Sequence, residues 1–297
     1  MLLIGPWGRI LETVVSYPPF TARTLKPADV PAALEFTATV GIHGVYVSNV
    51  LHSHPRLGPE VQILGFDGGE RLLGLAYFGP RGNLLVLQGE PGALNPRAAA
   101  GAILEARFPW RIVLAPHELV GELVGLGRLA TLVDREQIYY SVSRGDLIVP
   151  PAPATVDAVR VAEKKDLDAL MYAALHLNQS DLHVDPWCVD RDWLKRNTKT
   201  RIRKQTTFVI GSPGKPIAKL DLGSVGPSGV VIEGVYTWPD HRDRGFAASL
   251  VAAVAQEKLV DHPRVCLHVA ASNAAARRAY EKCGMAEAGV CQLMLRG

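Results

Sequence analysis

The stretch Val230–Leu250, reading VVIEGVYTWPDHRDRGFAASL, holds the residues whose types and spacing bear most directly on chemistry. A β-branched run from Val230 through Val235 and Thr237 is broken by Trp238-Pro239-Asp240. Arg242, Arg244, Gly245 and Ala247 follow, leading into an Ala/Leu/Val-rich run to about Leu259. A strand, a tight basic turn and a helix start present unpaired backbone N–H groups and the positive end of a helix dipole, which together make a site for an anion. From residue types alone, an ordinary strand–turn–helix unit with two solvated arginines reads equally well. Glu233 sits in the strand part of this stretch, where partial burial would raise the proton affinity of a carboxylate and suit it to general-base work. Residues 178–192 hold Asp181, His183, Asp185, Asp190 and Asp192. These acidic groups either attract a cationic amine or act as helix caps and a solvated face; their spacing does not specify a metal. Arg201–Lys204 (RIRK) reads as solvated surface, with an anionic partner as the other reading. Cys188, Cys266, Cys283 and Cys291 show no CxxC spacing, so they argue for neither zinc nor a disulfide framework, and Cys266 and Cys283 read as buried thiols.

Elements must position these groups, and the chain has room for them. Its 297 residues suggest about two domains, and 48% apolar content with 21% charged residues fits a globular protein with a sizeable core. A net charge of +3, without a dense basic stripe interleaved with aromatics, argues against nucleic acid. Met1-Leu2-Leu3-Ile4 is too short for a signal segment and is stopped by Pro6. No run approaches the ~20 apolar residues of a membrane span, so a reducing cytoplasmic setting is expected. Residues 1–20 read as an irregular arm. After it the pattern predicts a helix over Val30–Thr39, strands at Val61–Phe66 and Arg71–Tyr77 joined by an Asp67-Gly68-Gly69 hairpin, and a strand at Asn83–Gln88. It then predicts a helix over Asn95–Arg107, a strand at Arg111–Ala115, a helix over His117–Gly125 and a strand at Gln137–Val142. A proline-rich stretch at 150–157 reads as a linker. Beyond it come a strand at Val159–Ala162, helices over Leu167–Leu177 and Asp190–Arg196, and strands at Thr206–Ile210 and Ile217–Leu222. The opening strand and helix follow, then a strand at Val265–Val269, a helix over Ala274–Cys283 and a last strand in Gly289–Leu295. The two halves share an approximate element order. Arg23 and Asp29 are echoed by Arg160 and Asp166, each pair with five residues between and a helix after, which suggests a duplication at roughly 130–140 residues per copy.

Arg242-Asp243-Arg244-Gly245-Phe246-Ala247 matches the Gln/Arg-x-x-Gly-x-Gly/Ala signature of the GNAT superfamily, the acetyl-CoA-dependent N-acetyltransferases. Val235-Tyr236-Thr237-x-Pro239 before it, and Asn273 with Tyr280-Glu281-Lys282-x-Gly284 after it, also resemble that family. The resemblance covers about residues 156–297; the first half shares only the element order. It implies an α/β (α+β type) fold of two tandem GNAT-like domains, each a mixed, mostly antiparallel central sheet flanked by helices. The expected parts are a degenerate domain with its arm at 1–149, a linker at 150–157 and a catalytic domain at 158–297. It further implies that Val235, Tyr236, Thr237, Arg242, Asp243, Arg244, Gly245, Phe246, Ala247, Asn273 and Tyr280 hold acetyl-CoA. In this reading the strand at Val235–Thr237 splays from its neighbour to pair with the pantetheine arm. Asn273 either touches that arm or caps a helix. Tyr280 is expected to protonate the leaving thiolate, the other reading being a helix tyrosine packed on the sheet. Glu233 is read as a base or water-organiser, or else as a structural or substrate-binding carboxylate, since the family's strand glutamate usually lies about two residues earlier, nearer Val231. The expected reaction is direct attack of a primary amine on acetyl-CoA in a ternary complex, with no metal, nucleic acid or membrane involved; a small molecule, a peptide or a protein amine is the acceptor. The alternative is a non-catalytic acyl-CoA sensor that kept the cofactor turn. In the first half, Gly89-Glu90-Pro91-Gly92 lacks the Arg-x-x-Gly-x-Ala pattern, so no coenzyme A is expected there.

Overall fold

The computed structural model describes residues 17–150 and 158–297, so all but the end of the expected arm, and nearly all of the linker, lie outside the described residues. The first half runs β1 (Thr21–Thr24), α1 (Val30–Thr39), α2 (Val45–Ser53), β2 (Gln62–Asp67), β3 (Leu72–Phe78), β4 (Asn83–Gln88), α3 (Pro96–Glu105), β5 (Ile112–Ala115), α4 (His117–Gly127) and β6 (Thr131–Val142). The second half repeats that order as β7 (Arg160–Val161), α5 (Leu167–Leu182), α6 (Arg191–Arg203), β8 (Thr207–Ser212), β9 (Lys215–Gly226), β10 (Gly229–Thr237), α7 (Phe246–Lys258), β11 (Val265–Ala270), α8 (Ala274–Glu281) and β12 (Ala286–Arg296). The fold is α/β, with helices flanking a sheet that is antiparallel except at β4–β5 and β10–β11.

All twelve described strands form one sheet, in the order β1-β2-β3-β4-β5-β12-β6-β11-β10-β9-β8-β7. The last strand of the chain, β12, therefore lies between β5 and β6, and β6 lies between β12 and β11. Each half completes its sheet with a strand from the other. The seam is held at Tyr140 on β6, which is fully buried. Its hydroxyl donates to Glu281 Oε1 at 2.9 Å and lies 3.1 Å from Glu287 Oε1, while Arg277 Nε donates to the Tyr140 hydroxyl oxygen at 3.1 Å.

The echoed pairs of the sequence become equivalent structures. Arg23 forks onto Asp29 at 2.8 and 3.0 Å, and Arg160 onto Asp166 at 2.7 and 2.9 Å. Each carboxylate also accepts a backbone N–H, from Lys26 and from Glu163. The same clamp thus sets the entry to the first helix in both halves.

The pattern predicted no helix at α2. Val45, Val47 and Val50 are β-branched and disfavour helix, but tertiary burial of Val45, Val47 and Leu51 overrides that weak preference. Asn49 on α2 docks the two halves. Its Nδ2 donates to the Gly229 carbonyl at 2.9 Å and to Ser224 Oγ at 3.1 Å, across the β9–β10 hairpin.

Helix α7 covers one face of the second-half sheet. Its Leu250, Val251 and Val254 are at most 1% exposed and pack with Val230 and Ile232 of β10 and Leu267 of β11. Each such side chain contributes roughly 1.5–3 kcal/mol of burial. The opposite face of β10 carries Val231, Glu233 and Tyr236 toward α5, α6 and the first half.

Candidate functional site

β10 and β11 pair in parallel only at Val230–Val265 and Val231–Cys266. Beyond that point β11 continues along β6 to Ala270, while β10 continues along β9 to Thr237, so the two strands diverge and leave a backbone edge of β10 free. A bulge between Glu233 and Tyr236 sharpens the divergence. It needs Gly234, whose φ is +58°; a Cβ there would meet Lys219 Nζ at 2.9 Å and Asp221 Oδ2 at 3.0 Å. Val235, Tyr236 and Thr237 lie in this diverging segment. The ring of Tyr236 turns toward α5, 5.4 Å from that of His176.

The turn after β10 ends at Gly245, which takes φ +83° and precedes the first residue of α7 with no side-chain cap. Asp243 also has positive φ, +58°. The first backbone bond of α7 runs from Ser249 N–H to the Gly245 carbonyl at 3.0 Å. The amides of Phe246, Ala247 and Ala248 come before it and have no intrahelical acceptor. The Phe246 ring is buried in the core, so only its N–H faces the turn. Arg242 Nε donates to the Thr237 carbonyl at 3.2 Å, and the Arg244 guanidinium lies 5.2 Å from the Phe246 ring, leaving both cations beside the open helix end. In the first half the equivalent helix end is closed. Asn95 accepts from the Ala98 N–H at 3.0 Å, and Pro96 removes another donor. A cavity of about 540 Å³ beside the β4–β5 divergence has no Lys or Arg among its described lining residues, and Glu118 and Glu136 are its carboxylates.

On the other face, a cavity of about 470 Å³ lies between the halves and reaches the divergence through Val231 and Glu233 of β10 and Cys266 and His268 of β11. Its walls are mainly apolar, from Leu85, Leu114, Leu170, Leu177, Leu182 and Trp193. Its floor is charged. Lys219 Nζ binds Asp221 Oδ2 at 2.6 Å, Thr207 Oγ1 donates to Asp221 Oδ1 at 2.6 Å, and Arg201 Nη1 is 3.8 Å from Asp221 Oδ2. Arg201 Nη2 also pairs with Glu233 Oε1, and Arg81 Nη1 from the first half stands 3.9 Å from that oxygen. Burial pushes the Asp221 carboxyl up, but Lys219 and Arg201 outweigh it and hold the group below the usual carboxylate range. His268 is pushed down by burial, against the pull of Glu233. Its Nδ1 lies 3.2 Å from Gln137 Oε1; a carbonyl oxygen there takes the Nδ1 proton and leaves Nε2 as an acceptor.

Tyr280 on α8 is buried against Tyr140, with ring centroids 6.0 Å apart. Burial first, then the charge of Asp181, raises its phenol well above the ordinary tyrosine range, so it is a proton donor at neutral pH. Asn273 caps α8 by accepting from the Ala276 N–H at 3.1 Å. Of the acidic residues at 178–192, Asp185 and Asp190 cap through the Trp187 and Trp193 N–H groups, and it is Asp181 whose charge reaches the site. The reading of RIRK as solvated surface holds for Arg203 and Lys204 and fails for Arg201, because α6 extends past Arg196 and turns that side chain into the cavity floor. Cys266 and Cys283 are buried, and burial pushes their thiols up to about 12 and about 11.

Lys219, Asp221, His268, Arg81 and Arg201 were not legible as site residues. A signal existed on β9, where Lys219 and Asp221 alternate with Ala218, Leu220 and Leu222: charge on one face of a central strand implies a buried network or a site. Among the described residues no group of three or more His, Cys, Asp and Glu is placed to hold a metal, and no helix is long and apolar enough to cross a membrane.

Residues 171–285 match the Acetyltransferase (GNAT) family. No curated protein matches the chain. Solved structures similar over most of its length include a Drosophila protein, at TM-score 0.65 and 14% identity over 93% of this chain and 99% of that one. A GCN5-related N-acetyltransferase from Sphaerobacter thermophilus aligns at TM-score 0.60 and 16% identity over 93% and 94%. A tandem GNAT protein from the clavulanic acid biosynthesis pathway aligns at 0.54 and 12% over 94% and 98%. At these identities the likeness is one of fold.

Proposed function

We propose that this chain, whose residues 171–285 match the Acetyltransferase (GNAT) family, transfers an acetyl group from acetyl-CoA to an amine held in the cavity between its halves. The observation that carries the reading is the contrast between two helix ends. The α7 end has free amides, Gly245 with positive φ and two arginines beside a diverging strand, whereas its first-half counterpart is capped by Asn95 and Pro96. The open end suits a pyrophosphate, and the free edge of β10 at Val235–Thr237 suits the amides of a pantetheine arm. Arg242, Asp243, Arg244, Gly245, Phe246 and Ala247 would form the phosphate turn, mainly through backbone N–H groups, and Asn273 serves by fixing α8. Acetyl-CoA supplies the thioester that the amine attacks.

The chain's own part is positioning and proton movement. Glu233, an ion-paired carboxylate, holds the incoming ammonium, and neutral His268 on the facing strand takes its proton and passes it to solvent. Nitrogen then attacks the carbonyl, the C–S bond breaks, Tyr280 protonates the sulfur, and the remaining surplus N–H proton leaves through the same imidazole and, by way of solvent, restores the Tyr280 phenol, so that one proton is released per turnover. This assigns anchoring to Glu233 and the base to His268, because a carboxylate tied to Arg201 gives up its ion pair when it accepts a proton. Incubation with labelled acetyl-CoA and pooled amines tests the reading. Label appearing in an N-acetyl product with release of free thiol is expected; acetyl-CoA binding without transfer to any amine would favour an acyl-CoA sensor.

A further inference from the structure

The cavity floor is unbalanced. Lys219, Asp221, Arg201 and Glu233 form a charge-balanced chain of two cations and two anions. His43 and His268, which also line the cavity, are both pushed toward the neutral form by burial. Among the described lining residues that leaves Arg81 as the cation in excess. It sits in the turn between β3 and β4, 51% exposed, and faces Glu233 at 3.9 Å, beyond hydrogen-bond reach. Tyr46 and Asn83 stand with it on the first-half side of the cavity, and burial keeps the Tyr46 phenol protonated as a donor. One side of the floor therefore offers donors and a positive charge, and the other a carboxylate. The two charges are only 3.9 Å apart, close to the separation of an ammonium and a carboxylate on one carbon. Above them the walls are leucines, isoleucines and Trp193.

From this arrangement we infer that the acceptor is a free α-amino acid with a large apolar side chain, its ammonium on Glu233, its carboxylate on Arg81 and its side chain against the leucine-lined wall. The inference rests on the acetyl-transfer reading and adds the acceptor class to it. A peptide N-terminus lacks the neighbouring carboxylate, and a simple alkylamine lacks any anion, so both would leave Arg81 without a ligand. A bidentate guanidinium–carboxylate contact discriminates by about 10–100-fold.

Three acceptors separate these cases on the intact chain: phenylalanine, phenylalanine amide and phenethylamine, each assayed for thiol release from acetyl-CoA. The wild type is expected to favour phenylalanine over its amide by at least about 10-fold in kcat/KM. Arg81→Gln is expected to collapse that ratio toward one, chiefly by raising KM for the acid. Equal efficiency with acid and amide, or a ratio that survives Arg81→Gln, would overturn the inference. So would acetyl-CoA binding by calorimetry with no turnover of any of the three. Absence of acetyl-CoA binding would instead overturn the reading on which the inference rests.

Discussion

At the scale of single residues, proton work falls to Tyr280 on helix α8 and His268 on strand β11. Tyr280 is buried and protonated, so Tyr280→Phe keeps the packing and removes the acid. Turnover should fall by ~10²–10⁴-fold, with acetyl-CoA affinity by calorimetry nearly unchanged; unchanged turnover would remove Tyr280 from that role. His268 acts in its neutral form, and burial sets its folded value below the ordinary 6.5. Activity should therefore be lost as pH falls through a point below 6.5, and the acid limb of the kcat profile should flatten in His268→Gln. An unaltered limb would return the base to Glu233 or to water. Gly245 and Tyr280 stand out in the sequence because a signature with fixed spacing carries them. His268 was not, because a lone histidine on an apolar strand carries no spacing signal; only the divergence of β10 from β11 gives it a task.

At the scale of elements, one helix length changed the meaning of a residue. A helix ending at Arg196 leaves RIRK in solvent, whereas α6 running to Arg203 carries Arg201 under Glu233 and Asp221. Arg201→Met would leave two carboxylates short of a partner at a site where Arg201 and Asp221 are 14% and 13% exposed. Because Asp221 keeps Lys219 and Glu233 is 37% exposed, a loss of about 1–3 kcal/mol in denaturant unfolding is expected, and a near-zero change would mean that the network is not stabilising. The helix-entry clamps make a second, graded test. Burial pushes the Asp166 carboxyl up, but Arg160 and the N–H groups of Glu163 and Gly214 outweigh it and hold it below 3.8. A lowered folded value stabilises above about pH 4 and ceases to do so as pH falls through it. Wild type should thus lose urea stability more steeply in acid than Asp166→Asn. Asp29→Asn should change the slope less, because its clamp is 43% and 21% exposed where that of Asp166 is 24% and 0%. Both clamps were readable as an Arg-x₅-Asp echo, since the chain geometry is local. α2 was not readable, because it is stabilised by non-local burial of Val47 and Leu51 and by the bonds of Asn49 to the other half.

At the scale of the whole molecule, the repeated element order was legible and the exchange of β6 and β12 was not, since both strands read as ordinary last strands and neither their partners nor their positions are local. The exchange makes one sheet of two copies. It predicts a single cooperative unfolding transition by calorimetry, and two separated transitions would contradict it. It also gives the first half, whose α3 end is capped, structural tasks in the second: it supplies β6 to the second-half sheet and Arg81 and Tyr46 to the cavity wall. The proposed function requires one working donor site per chain, at the α7 end. Titration of acetyl-CoA into the full chain by calorimetry tests it most directly, with wild type beside Gly245→Glu, which places a charged side chain at a φ +83° turn. One site per chain in the wild type and none in the variant is the predicted result. Two sites per chain, or binding that survives the substitution, would contradict it.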